Sequence, residues 1–138
     1  MNAILSIKPH FVEEIKAGRK RFEFRKTVFK QQVEKVYVYA SAPVSMIIGE
    51  FQPVDVVMGT PAEVWKQTER YSGITKEFFD EYFKGRRVAY AIVIQNFVEY
   101  ETPRRIPFQA PQSYRYVDFL FQNLADSGKS CNFATHNF

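Results

Sequence analysis

Residues 3–26 read AILSIKPHFVEEIKAGRKRFEFRK, and this stretch decides how the rest of the chain is read. Its first part, AILSIKP (3–9), is apolar at Ile4, Leu5 and Ile7 and suits a strand. Pro9 then fits the first turn of a helix, where its missing N–H removes no hydrogen bond. Phe11, Val12 and Ile15 fall on one helical face, and Gly18 supplies a left-handed stop. From Arg21 the pattern switches to alternation, which predicts a second strand over RFEFRK (21–26). Phe22 and Phe24 share the face expected to enter the core; Arg21, Glu23 and Arg25 share the other.

So much charge on a short strand has two readings. It is a salt-bridged, solvated sheet surface, or it lines a site. A carboxylate between two guanidinium groups can fix both their planes by charge-assisted hydrogen bonds. Lys20 stands where the helix ends and the strand begins, and Lys8 stands at the end of the preceding strand; binding groups concentrate at such element ends.

The charge is also unevenly spread. Residues 1–30 carry eight Lys or Arg against three Glu, while the whole 138-residue chain has a net charge of +4, so the remainder is close to neutral. A basic N-terminal part favours anionic partners, RNA or single-stranded DNA first. The length points to one domain, placed at residues 1–128, with a tail over 129–138. Fourteen Phe and eight Tyr are ample for a packed core. No apolar run is long enough to span a bilayer, and MNAILSIKPH lacks the basic lead and cleavage site of a signal peptide. Cys131 is the only cysteine and no Cys/His group has zinc spacing, so the expectation is a cytoplasmic protein without disulfide, metal or other cofactor.

Further along, KVYVYAS (35–41) reads as a strand, and SMIIGEFQPVDVVMG (45–59) as one long strand or two, with Pro53 marking a bulge or an edge. TPAEVWKQTERY (60–71) opens with Thr60, Pro61 and Glu63, the pattern of a capping box. TKEFFDEYFKG (75–85) predicts a helix capped by Thr75, stopped by Gly85 and facing inward with Phe78, Phe79, Tyr82 and Phe83. RRVAYAIVIQNFVEY (86–100) predicts one long central strand, TPRRIPFQAPQ a loop, and 113–128 a final helix. The strands do not alternate regularly with helices. The fold expected is therefore α+β: a mixed sheet curled into a small barrel with helices packed outside it.

Common catalytic signatures are missing. There is no nucleophile elbow, Walker loop or dinucleotide fingerprint, and the two histidines, His10 and His136, have no obvious nucleophile partner. Tyr37 and Tyr39 share a strand face, and Tyr114 and Tyr116 flank Arg115; aromatic rings beside cations can stack bases, although core packing is the commoner use of such tyrosines. Gln112 and Ser113 are placed at the opening of a helix, where Ser113 can cap or help bind an anion.

Taken together, LSIKPHFVEEIKAGRKRFEFRK resembles the N-terminal signature of ASCH domains: Leu-x-Ile-Lys-Pro, a helix, then Gly-x-Lys-x-x-Glu-x-Arg. Lys8, Pro9, Gly18, Lys20, Glu23 and Arg25 occupy the motif positions. FFDEYFKGRRVAYAIVI (78–94) and APQSYRYV (110–117) resemble later segments of the branch described as predicted transcriptional regulators. The resemblance implies a PUA-like barrel with helices around a cleft, lined by the Gly-x-Lys-x-x-Glu-x-Arg residues and binding RNA or possibly DNA. It also admits enzymes. Some members are amidohydrolases on N4-acetylcytidine that use a Lys, a Thr and a Glu, and some are reported to cleave RNA. The Lys matches Lys20, but Glu23 stands where the Thr would be, and a carboxylate cannot replace a hydroxyl nucleophile in the same chemistry.

The leading expectation is thus a nucleic-acid-binding module with a regulatory role, contacting its ligand through Lys8, Lys20, Arg21, Glu23, Arg25, Tyr39, Ser113 and Arg115. The alternative is a hydrolase on a modified nucleoside or a ribonuclease, in which Lys20 and Glu23 would be central and Tyr39 or Ser113 could supply a proton-transfer group.

Overall fold

Strand β1 (Asn2–Ile7) lies inside a five-stranded sheet, parallel to β3 (Lys35–Ala40) and antiparallel to β8 (Tyr114–Val117). The fold is that of a computed structural model, which describes residues 1–119 of the 138. Helix α1 (Pro9–Lys16) and β2 (Phe22–Arg25) lie on the crossover from β1 to β3. From β3 the chain continues antiparallel into β4 (Met46–Gln52), and β7 (Gln95–Arg104) closes the outer edge, giving the order β7-β4-β3-β1-β8. A second, antiparallel sheet has the order β2-β6-β5, with β5 at Val56–Gly59 and β6 at Ala89–Val93. Helices α2 (Pro61–Thr68) and α3 (Lys76–Tyr82) lie between β5 and β6 in the chain, with a 3-10 turn at Glu69–Tyr71 between them.

The α+β class expected from the sequence is the one found. The ladders form two sheets; among the described residues no ladder closes them into a single barrel. The chain passes between them four times, from Ile7 to Phe22, Arg25 to Lys35, Gln52 to Val56 and Val93 to Gln95.

Burial explains why β3 is almost uniformly apolar. Val36, Val38 and Ala40 pack against Leu5, Ile7, Val12 and Ile15 on one face. Tyr37 and Tyr39 pack with Ile4, Ile47, Tyr100 and Phe119 on the other. A strand covered on both sides loses the polar half of its alternation. A third cluster lies under the second sheet, where Phe24 meets Val64, Phe79, Phe83, Ala89 and Ala91.

The caps follow the sequence closely. Thr60 and Glu63 exchange the two hydrogen bonds of a capping box, Thr75 accepts from the Phe78 N–H, and Gly18 and Gly85 both take positive φ. Three expectations need correction. The strand read at 86–100 is two strands in different sheets, broken at Ile94, and Asn96 at φ 55° lies in a bulge near the start of the second, between the residues paired with Gln52 and Glu50. Strand β7 then runs on to Arg104, into the stretch expected to be a loop; Pro103 is tolerated because β7 is an edge strand. The helix expected at 113–128 is strand β8 over Tyr114–Val117. YRYV satisfies a helical stripe and an alternation equally well, and its aromatic and β-branched residues favour the strand. The remainder of that expected helix and the tail at 129–138 lie outside the described residues. No helix among the described residues is long and apolar enough to cross a membrane.

Candidate functional site

The end of α1 sets the position of Lys20. Gly18 turns the chain, and the Arg19 and Lys20 N–H groups both donate to the Glu14 carbonyl. The chain then meets the 3-10 turn: Lys20 forms an isolated bridge with Ser72, and the Arg21 N–H donates to the Tyr71 carbonyl at 2.8 Å. This contact directs the Lys20 side chain inward, where it is 2% exposed. Its Nζ donates to the Ser72 carbonyl at 3.0 Å and lies 4.8 Å and 5.2 Å from the ring centres of Phe24 and Phe11. Burial pushes the Lys20 pKa below the usual lysine range; Glu23 opposes that shift and Arg25 adds to it. Room for the side chain comes from Gly73, at φ +67°, where any Cβ would collide with Cβ and Cγ of Lys20.

Glu23 is the centre of the network. Its Oε2 accepts from both Nε and Nη2 of Arg25, at 3.0 and 2.8 Å, which leaves Oε1 facing Lys20 Nζ at 3.8 Å. Arg25 is fully engaged: Nη2 also donates to the Ser6 carbonyl at 2.8 Å, and Nη1 to Ser113 Oγ at 3.1 Å and its carbonyl at 3.4 Å. One guanidinium therefore ties β2 to the end of β1 and to the residue entering β8. Buried ions are stable only when paired and hydrogen-bonded in this way.

These groups border a cleft of about 380 Å³, within the size range of small-ligand sites. Phe11, Phe24, Ile74, Phe78 and Tyr82 form its apolar walls, with Lys8, Ser41, Gln112 and Ser113 among its polar lining. Burial raises the Tyr82 hydroxyl above the usual phenol range.

Of the residues singled out by sequence, Lys8, Lys20, Glu23, Arg25 and Ser113 converge on this cleft. Three do not. Arg21 precedes β2 and is exposed; its guanidinium stacks 3.9 Å from the Tyr71 ring centre. Tyr39 is core, because both faces of β3 are covered. Arg115 points to the face opposite Tyr114 and lies 3.9 Å from the Phe108 ring centre. Ser113 reaches the cleft from the start of a strand and not from a helix. Sequence reasoning missed Phe78 and Tyr82, which were assigned to the core. The signal was available: Phe78, Phe79, Tyr82 and Phe83 make a stripe two residues wide, more than one buried seam accommodates.

A two-sheet α+β fold thus carries a buried Lys–Glu–Arg network beside an aromatic-walled cleft. The sequence profile described as "ASCH domain" matches residues 5–102, so the chain belongs to the ASCH domain family. An ASCH domain-containing ribonuclease from Zymomonas mobilis is 25% identical over 123 residues, covering 83% of each chain. The crystal structure of ASCH from Zymomonas mobilis superposes with a TM-score of 0.78 at 25% identity, over 85% of this chain and 87% of that one. A serine-to-alanine mutant of the same protein gives 0.77 at 24% identity, over 85% and 88%. The large ribosomal subunit protein uL22 of Ureaplasma parvum is 28% identical over 98 residues, 68% of this chain and 32% of that protein. The chain thus spans about a third of the length of the uL22 relatives it matches. Transcriptional regulation, expected of one branch of the family, finds no support in these relatives.

Proposed function

We propose that this protein is a ribonuclease whose centre is Lys20, held by Glu23 and Arg25 at the floor of the cleft. The observation that carries the reading is a lysine 2% exposed, with a depressed pKa, lining the cleft in a chain similar over most of its length to an ASCH domain-containing ribonuclease. A lysine so placed is suited to proton transfer, because burial brings its neutral form nearer to working pH. In the reaction proposed, Lys20 takes the proton of a ribose 2′-hydroxyl as that oxygen attacks the adjacent phosphorus. The bond from phosphorus to the 5′-oxygen breaks, and Lys20 returns the proton to that oxygen. Arg25 and Lys8 supply positive charge near the developing phosphorane. Glu23 is a positioning residue, since both its oxygens face cations of the network.

Labelled single-stranded RNA is the test substrate. Lys20→Met is expected to lower the cleavage rate at least about a hundredfold, the usual range for removing a proton-transfer group, with an unchanged circular dichroism spectrum. The wild-type rate should rise with pH while Lys20 loses its proton and level off below about 10.4, the ordinary lysine value, because only the neutral amine is a base. Undiminished cleavage by Lys20→Met would sink the reading.

A second reading, binding without cleavage, is favoured by Arg25, whose guanidinium nitrogens are all hydrogen-bonded inside the protein and so act as fixed scaffold. RNA affinity with no product would select it. Deacetylation of N4-acetylcytidine is the less favoured chemistry, because Glu23 occupies the position of the hydroxyl residue.

A further inference from the structure

Phe78, with 39% of its surface exposed, is the most exposed Phe, Tyr or Trp among the described residues, although its neighbour Phe79 is buried. It stands on a ridge. On one side is the cleft that holds Lys20; on the other is a second depression bordered by His10, Glu14, Gly73 and Thr75. Lys8, Phe11, Ile74 and Phe78 belong to both. Phe11 meets the Phe78 ring edge-on at 5.1 Å and holds it in place, while Tyr82 lies nearly parallel to it, at 13° and 6.5 Å. Each of these two rings has a cation nearby: Lys8 Nζ is 5.4 Å from the centre of Phe78, and Lys26 Nζ is 4.8 Å from that of Tyr82.

The geometry points to a second nucleotide subsite on this ridge, in which Phe78 stacks the base next to the one in the Lys20 cleft and Lys8 meets the phosphate between them. The inference rests on the reading that the cleft takes RNA. A wet, rigid ring costs burial energy unless something covers it, and a flat base is a cover of matching shape. Flanking ammonium groups match the phosphates on either side, and the shared wall makes the two depressions one continuous path. Base stacking on such a platform needs an unpaired strand, since a paired base keeps both faces inside its helix. The substrate class is therefore single-stranded RNA engaged over at least two adjacent nucleotides.

Binding is measured by fluorescence polarisation with a labelled 2′-O-methyl hexauridylate, which lacks the attacking hydroxyl, and by competition with uridine 5′-monophosphate. Phe78→Leu keeps an apolar contact with Phe11 but removes the flat face; it should weaken the hexamer about tenfold and the mononucleotide about twofold or less. Phe78→Trp should bind the hexamer at least as tightly as the wild type. Equal loss for hexamer and mononucleotide, or hexamer affinity unchanged in Phe78→Leu, would overturn the subsite. If unmethylated hexamer binds with this Phe78 dependence yet is never cut, the subsite stands and the nuclease reading fails.

Discussion

At the scale of single residues, Glu23 carries the most consequence. Its carboxylate balances two buried cations, with side-chain exposure of 8% against 1% for Lys20 and 10% for Arg25. Removing the shared partner leaves both charges in a low-dielectric setting. Glu23→Gln is therefore expected to destabilise the fold by about 3 kcal/mol, read from urea denaturation, although the amide is isosteric. A loss below about 0.5 kcal/mol would mean that water reaches the network, as it does in surface pairs. The motif spacing made Lys20, Glu23 and Arg25 legible as a group, because residues 23 and 25 must share a strand face. Which loop would receive the Lys20 ammonium was not legible. The Ser72 carbonyl lies 52 residues away, and no local pattern encodes that meeting.

At the scale of elements, the helices were readable because their ends carry local chemistry. Thr60, Thr75, Gly18 and Gly85 act on atoms within four residues of themselves. The strands were harder, since pairing is decided by distant partners. Nothing within 86–100 announces that the chain changes sheets at Ile94, and nothing within YRYV reports that β1 has an open edge for it. The turn at Gly73 is the element-scale feature with most bearing on the site. Gly73→Ala would strain a positive φ and push on the stem of Lys20. It is expected to cost about 1–3 kcal/mol by thermal or chemical denaturation. It should also lower RNA cleavage, although residue 73 bears no chemical group that could take part. Retained cleavage at full stability would show that the turn can relax without moving the lysine.

At the scale of the whole molecule, the excess charge near the N-terminus becomes a spatial statement. Lys8, Lys20 and Lys26 stand just after β1, α1 and β2; the first two line the cleft, and Lys26 lies over Tyr82 on its wall. With Lys20 assigned to proton transfer, phosphate contacts at Lys8 and Lys26 predict that the logarithm of RNA affinity falls with the logarithm of salt concentration at a slope of about −1.4, since each single-stranded phosphate contributes about −0.7. A titration series from low to moderate salt checks this, and a flat response would exclude phosphate contact at these lysines. The same gathering has an order in time. Arg25 is fixed from one side by Ser6 and from the other by Ser113, whose carbonyl also accepts from the Ser6 N–H. During synthesis the basic N-terminal segment leaves the ribosome first, yet its guanidinium has no complete seat until residues 113–117 follow and settle along β1. A nascent chain of this protein thus carries Lys20, Glu23 and Arg25 well before the strand that completes their network, and the site takes its final form only when the last strand of the sheet has arrived.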